Sequence, residues 1–292
     1  MKLLLNDVGF WEKAWSEERA ASLYGRQVKE RADIRWWDRR AGLYARNTGG
    51  QEGERRAAQL LHWLGHHQDL GAETRILDIG CGPGNETLVL ARRAKKVVAL
   101  DPAPGMLAIL QERAEAAGLQ NIETVCSTWE EVDLGARGWE GAFDLVIASR
   151  SPGVKDVPTL RKMLRAGRGG CFYSGFISRQ EPERAELWHR LFGTPMPPLA
   201  ADAVYIFHLL LAWGYYPSLE LEHQTGRREM PAAEAVADLE DFFYAYTELT
   251  PAVRAEIRRY VEENSQGGLF ITERESVGGL LFWPAGECLT KG

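Results

Sequence analysis

The sequence predicts a doubly wound α/β fold, a largely parallel sheet covered by helices on both faces. Three observations carry that expectation. Ile76, Leu77 and Ile79 make a short, nearly continuous apolar run, as in a parallel strand buried on both faces. Gly80, Gly82 and Gly84 follow at once and remove side chains where the backbone turns sharply and a ligand can approach. A second apolar run, Val97-Val98-Ala99-Leu100, then ends on the carboxylate Asp101.

The elements follow in order from this core. Residues 85–94 are helix-compatible, with Leu88, Leu90 and Ala91 on one side and the basic pair Arg92 and Arg93 near the end. Further strands are expected at residues 121–126, 143–148 and 170–176, with helices near 106–117 and 157–166 between them. A helix stopping at Gly214 leads to a strand at 215–223, and the last strand is expected at 279–283, after a turn-like Ser276-Val277-Gly278. Residues 1–70 read as a helical N-terminal cap, in which Asn6 or Asp7 caps a helix carrying Trp11, Ala14 and Trp15 on one face, and Gly25 ends it. Residues 71–288 form the core domain, with a helical insert at about 231–266 carrying Val236, Leu239, Phe242, Phe243 and Tyr246.

Composition narrows the function classes. A chain of 292 residues with 45% hydrophobic content can bury a large core. Its formal charge of −6 gives no global attraction to nucleic acid or anionic membrane. Cys81, Cys126, Cys171 and Cys288 are scattered, with no CxxC and no clustered histidines, so neither a metal site nor a disulfide framework is expected and a reducing cytoplasm fits. No signal peptide and no run long enough to span a bilayer is visible, so no membrane partner is expected.

The glycine spacing separates cofactor classes. Dinucleotide folds favour G-x-G-x-x-G, whereas this chain has G-x-G-x-G with Asp78 two residues before it. The run Ile76-Leu77-Asp78-Ile79-Gly80-Cys81-Gly82-Pro83-Gly84 closely resembles the first motif of the class I S-adenosylmethionine-dependent methyltransferases of the small-molecule type. That resemblance implies a Rossmann-like seven-stranded sheet of order 3-2-1-4-5-7-6 with the seventh strand antiparallel, S-adenosylmethionine as cofactor and S-adenosylhomocysteine as product. It implies that Asp78, Gly80, Cys81, Gly82 and Asn85 surround the methionine part, with Asp78 meeting the amino group directly or through water. Asp101 is implied at the ribose, and Pro102 and Met106 beside the adenine, although Met106 at helical spacing also reads as core. The acidic residue common after the third strand is replaced by Cys126-Ser127-Thr128-Trp129. Thr128 or a backbone carbonyl takes that place; Trp129 either stacks near the base or packs a helix.

After the fourth strand the chain reads Ala148-Ser149-Arg150-Ser151-Pro152, with no N-P-P-Y or D-P-P-Y for an exocyclic amine and no P-C nucleophile for cytosine C5. Ala148 and Ser149 are expected beside the transferable methyl, and Arg150 either reaches toward an anionic or carbonyl-bearing acceptor or forms a surface ion pair. No catalytic base is identified. His208, inside the apolar run 206–211, and His223 are open to either catalytic or structural roles, and Tyr24, Tyr44 and Tyr244 are possible donors. Among them Tyr44 stands out, because Trp37-Asp38-Arg39-Arg40-Ala41-Gly42-Leu43-Tyr44 is similar to the W-D-x-x-A-x-x-Y segment of small-molecule members.

Three functions stay open: a methyltransferase acting on a small-molecule acceptor, the leading reading; an RNA or protein methyltransferase; and a non-catalytic S-adenosylmethionine-binding protein. The second would dock through the segment from Arg26 to Arg46, which holds seven Lys/Arg against three Asp/Glu around Trp36 and Trp37 and is otherwise the solvated face of a helix. A nicotinamide oxidoreductase is opposed by the glycine spacing. Oligomeric state is left open.

Overall fold

The computed structural model describes residues 6–29 and 33–286. Cys288, Arg31 and both ends of the chain lie outside the described residues. Four helices come first: α1 (Val8–Ala21), α2 (Leu23–Arg26), α3 (Ile34–Thr48) and α4 (Gly50–Leu64). Asp7 caps α1 by accepting from the Phe10 N–H at 3.1 Å. The expected stop at Gly25 is corrected: α1 ends at Ala21, where the Ser22 N–H meets the Arg19 and Glu18 carbonyls, and the Ser22 hydroxyl caps α2, which contains Gly25. Asp33 caps α3 by accepting from the Trp36 N–H.

The alternating half follows: β1 (Arg75–Ile79), α5 (Asn85–Ala91), β2 (Lys96–Asp101), α6 (Pro104–Ala116), β3 (Ile122–Cys126), α7 (Leu134–Arg137), β4 (Phe143–Ser149), α8 (Val157–Ala166) and β5 (Gly167–Gln180). The chain continues with α9 (Pro182–Phe192), α10 (Asp202–Ala212), β6 (Ser218–Pro231), α11 (Ala232–Tyr244), α12 (Pro251–Glu263), β7 (Ser265–Gln266) and β8 (Leu269–Pro284). The sheet order is β3-β2-β1-β4-β5-β8-β6, with β8 antiparallel to both neighbours. This is the order expected from the resemblance; the last long strand is eighth only because the two-residue β7 pairs with it first. No described helix is long and apolar enough to cross a membrane.

Two strands run much further than their apolar signal. β6 starts at Ser218, not 215, and continues to Pro231, while β8 begins at Leu269, ten residues before the expected strand. Ser276-Val277-Gly278 is not a turn: it pairs with Gln224, His223 and Glu222 on one side and with Arg179, Ser178 and Phe176 on the other. Backbone pairing on two edges extends the strands where side chains are polar and half solvated.

The core is layered. On one face of the sheet Trp15, Val98, Val146, Leu160 and Leu209 are buried together, and on the other Leu64, Leu90, Ile76, Ile147 and Phe172. A separate apolar cluster gathers Trp188, Leu239, Phe243, Tyr260 and Phe270 from α9, α11, α12 and the far end of β8. It covers the extended β6–β8 pair away from the parallel strands.

Candidate functional site

A cavity of about 1600 Å³ opens where β1, β2 and β4 end, and its other walls come from α3, α4 and β6. The glycine turn forms its floor. Gly80, Gly82 and Gly84 all have left-handed backbones, with φ of 70°, 53° and 85°. A Cβ on Gly80 would stand 1.9 Å from Ser151 Oγ, and one on Gly84 would stand 2.2 Å from Leu110 Cδ1, so both close approaches need glycine. The Gly80 and Cys81 amides donate to the Leu100 carbonyl, which ties the turn to the end of β2.

Asp101 is held by two backbone donors, the Gly82 N–H to Oδ2 and the Ala103 N–H to Oδ1, each at 2.9 Å. Burial raises its carboxyl above the usual range, against the lowering by these amides. Gly82, Asp101, Pro102, Met106, Thr128 and Trp129 all border the cavity, as do Gly80, Cys81 and Asn85. Asn85 is engaged elsewhere too: its Nδ2 donates to the Thr48 carbonyl and its Oδ1 accepts from Arg113. Thr128 Oγ1 donates to Glu131, and Trp129 is a buried packing residue whose Nε1 donates to the Thr159 carbonyl while its side borders the cavity.

Two residues expected at the cofactor lie off the cavity surface. Asp78 is buried behind the turn, where its Oδ2 accepts from Thr87 Oγ1 at 2.6 Å; burial first, then Glu86 and Asp101, push its carboxyl up to about 7 despite that bond. Ala148 is fully buried in the core, and the next residue, Ser149, faces the cavity because successive strand side chains alternate. His208 is also elsewhere. It stacks on Trp11 at 4.1 Å and its Nδ1 meets the Val204 carbonyl at 2.8 Å, outside the cavity wall. Tyr244 is likewise outside, under the Arg39 guanidinium.

Tyr44, Tyr24, His223 and Arg150 do border the cavity. The segment from Trp37 to Tyr44 shows how: Asp38 Oδ1 accepts from the Gly105 N–H in the first turn of α6, Ala41 packs against Ala103 and Met106, and Tyr44 comes over the glycine turn beside Gly82. Burial holds the Tyr44 hydroxyl above its ordinary range, with Glu86 adding to the rise and Arg150 opposing it. Arg150 is the one described non-glycine residue with a left-handed backbone, φ 50°. Its N–H donates to the Ser174 carbonyl and its guanidinium to Glu222 Oε2 at 3.0 Å.

Sequence reading missed Glu86, Ser174 and Glu222. Glu86 follows Asn85 in the first turn of α5, and Ser149 Oγ lies 3.4 Å from its Oε1 and 3.2 Å from Ser174 Oγ. Its position beside the last motif residue was the available signal. Ser174 and Glu222 come from β5 and β6 and carried no local signal.

Comparison with known proteins agrees with this geometry. The family model described as "Methyltransferase domain" matches residues 76–168. Residues 76–168 are a methyltransferase domain. The domain's sequence relatives include the 23S rRNA (uracil(1939)-C(5))-methyltransferase RlmD of Shewanella amazonensis, 34% identical over 118 residues, or 40% of this chain and 26% of that protein. The chain thus spans about a quarter of that relative's length. Magnesium protoporphyrin IX methyltransferase (ChlM) from Synechocystis PCC 6803 shares the fold with a TM-score of 0.50 at 13% identity, covering 88% of this chain and 97% of that one. A phosphoethanolamine N-methyltransferase 2 of Haemonchus contortus has a TM-score of 0.50 at 16% identity, covering 88% and 61%. These likenesses around the methyltransferase domain establish the class I fold.

Proposed function

We propose that the chain transfers a methyl group from S-adenosylmethionine to a small organic acceptor held between the glycine turn, α3, α4 and the β6 edge. The observation that carries this reading is the continuity of the cavity from Gly82 and Asp101 to Glu86, Ser149 and Arg150. Sites for single drug-sized ligands enclose about 300–1000 Å³; 1600 Å³ leaves room for an acceptor beside the cofactor.

The residues fit the cofactor. The turn that only glycine can adopt leaves backbone exposed at the floor, Asp101 offers its carboxylate to ribose hydroxyls, and Pro102 and Met106 offer an apolar wall to the base. Asp78, once ionised behind the turn, supplies negative field for an ammonium group. When bound, S-adenosylmethionine supplies an already activated methyl group, so the protein's work is alignment and exclusion of water. Tyr44 and α3 close over the turn, and Ser149 with Glu86 sits at the β4 tip to orient an acceptor hydroxyl or amine and take up its proton.

An RNA acceptor is the second reading, favoured by the rRNA methyltransferase relative. Three observations weigh toward a small acceptor. Trp36 is buried and offers no stacking face, and Trp37 is held edge-on between Trp36 and Tyr44 at the cavity wall. Arg40 pairs with Asp241 at 2.6 Å and Arg39 lies over Tyr244, so part of the basic segment is spent on packing against α11. Covalent chemistry at a pyrimidine C5 needs a thiolate, and the one described cysteine bordering the cavity, Cys81, is driven well above its ordinary range by burial and by Asp78 and Asp101.

The test is calorimetric titration with S-adenosylmethionine, S-adenosylhomocysteine and NAD, on the wild type and Asp101→Ala. Binding of both adenosyl ligands, weakened by the substitution and absent for NAD, is expected. Transfer of labelled methyl into metabolite but not RNA fractions then supports the small acceptor, and transfer into RNA overturns it.

A further inference from the structure

Beyond the cavity floor, a polar strip of the extended sheet carries more positive charge than its own carboxylates neutralise. In the β5–β8 pairing, Phe176 stands opposite Gly278, Arg179 opposite Ser276 and Gln180 opposite Glu275. Because side chains alternate along a strand, Arg274 shares a face with Ser276 and therefore with its partner Arg179. Glu222 stands opposite Gly278 on the β6 side, which puts it on that face beside Phe176. The strip reaches the cavity through Arg150, whose guanidinium lies 5.8 Å from the Phe176 ring centre, while Arg179 lies 5.3 Å from the same ring.

Each carboxylate of the strip is already engaged. Glu222 takes Arg150 at 3.0 Å. Glu181 Oε1 accepts from both Arg179, at 2.7 Å, and Arg184, at 2.8 Å. Asp238 takes the other arm of Arg184 at 2.9 Å and also lies 3.8 Å from Arg228. Two groups are left over. Arg179 Nε is buried with no acceptor, and Arg274 has no hydrogen-bonding or ion-pair partner among the described residues. Its guanidinium is held below the usual arginine range, first by partial burial and then by Arg179, with Arg150 and Arg184 adding to the repulsion and Glu181 opposing it. Two guanidiniums, Arg150 and Arg179, thus share one ring, Arg184 and Arg274 complete the same charge group, and three carboxylates answer the four.

Such a half-solvated surplus favours an anion that completes it. Guanidinium forks match planar carboxylate and phosphate oxygens through paired N–H donors. Arg150 also keeps a backbone conformation that favours glycine, held by the Ser174 carbonyl and hydroxyl, so its side chain projects from the cavity wall toward Phe176 and not into the turn.

We propose that the acceptor carries an anionic group, a carboxylate or a phosphate, that docks among Arg150, Arg179 and Arg274. The inference rests on the methyltransferase reading of the adjoining cavity: the anion anchors the acceptor at the strip while its nucleophilic atom lies at the Ser149 end. Glu222 occupies Arg150 in the free protein and yields that guanidinium to the acceptor.

The test is binding of inorganic phosphate and of acetate to the full chain, followed by phosphorus-31 and carbon-13 NMR at constant ionic strength. The variants are Arg274→Gln and, as a control, Arg137→Gln on α7, whose guanidinium lies over Trp139. Saturable binding is expected, weakened roughly tenfold in Arg274→Gln and unchanged in Arg137→Gln. The tighter of the two probes identifies the group as phosphate or carboxylate. Absent saturable binding, or equal binding in wild type and Arg274→Gln, overturns the proposal. If Arg274→Gln does not fold, Arg179→Gln gives the same readout, because its unpaired Nε belongs to the same site. S-adenosylhomocysteine titration of the same samples separates the two readings: cofactor binding without anion binding sinks the strip alone, whereas anion binding without cofactor binding sinks the methyltransferase reading and leaves the anion site standing.

Discussion

Where the turn after β1 and the end of β2 offer the cavity bare backbone and one amide-held carboxylate, the facing wall from α3, α4 and β6 offers long side chains, Tyr44, Trp63 and Glu222 among them. The first wall is rigid because its geometry follows from positive φ angles at all three glycines and from contacts under 3 Å to a methyl added at Gly80 or Gly84. The second depends on ion pairs and aromatic edges that tolerate rearrangement, such as Trp63 against Phe172 at 5.5 Å. A fold can therefore keep one ligand constant on the backbone wall and change the other ligand by changing side chains.

The sharpest way to break that contrast is Gly80→Ala. The new Cβ meets Ser151 Oγ at 1.9 Å and Cβ at 2.8 Å on a backbone at φ 70°, for an expected loss of about 3–4 kcal/mol in stability and at least about 100-fold in S-adenosylhomocysteine affinity. Gly226→Ala on β6, with nothing within 4 Å of the new atom, should change stability by no more than about 0.5 kcal/mol. Thermal melts with calorimetric titration check both.

A smaller effect, with opposite signs for stability and binding, is expected at Asp78. Its carboxyl, pushed up to about 7 by burial, is charged in the native state only above that pH, while the unfolded chain ionises near its ordinary value. The native state therefore loses stability as pH rises through that window and keeps it below, where both states are neutral. Asp78→Asn should gain about 2 kcal/mol at pH values above about 7 and progressively less on acidification, while lowering affinity for the amino-acid end of the ligand. Denaturant melts across pH show whether the gain vanishes in acid; a gain independent of pH would sink the burial argument.

The backbone wall was legible in the sequence because it is local: β1, the glycines and Asp101 span 27 residues and each residue type has one conformational reason to be there. Helix α8 begins where expected because Asp156 and Thr159 form a capping box. The other wall was not legible. Nothing in the polar run Gln224-Thr225-Gly226-Arg227-Arg228 announces a strand; β8 supplies the pairing from about 50 residues away. Ala148 and Ser149 differ only in strand phase, which the β4–β5 register fixes, and Ser174 faces Ser149 because that register makes them partners.

At the acceptor end Glu86 separates positioning from binding. Glu86→Gln keeps the shape and the contact with Ser149 but removes the proton acceptor, so kcat should fall about 10–100-fold while S-adenosylhomocysteine affinity stays within about threefold. An equal fall in affinity would move Glu86 from the acceptor side to the cofactor side.

The smallest effect belongs to the histidine that the apolar run had brought forward. His208 lies on α10 with its ring stacked 4.1 Å from Trp11 on α1 and its Nδ1 on the Val204 carbonyl, one turn back on its own helix. The stacked pair ties α1 to α10, on the side where Asp202 accepts from Trp15 Nε1 at 2.7 Å. Removing the ring deletes one stacked pair and one local hydrogen bond, so His208→Ala should cost about 1 kcal/mol. Neither cofactor affinity nor the pH profile of turnover should move, because the ring does not reach the cavity. A pH profile that loses its acidic limb in the variant would instead make His208 the proton acceptor and would require α10 to shift toward the β4 tip.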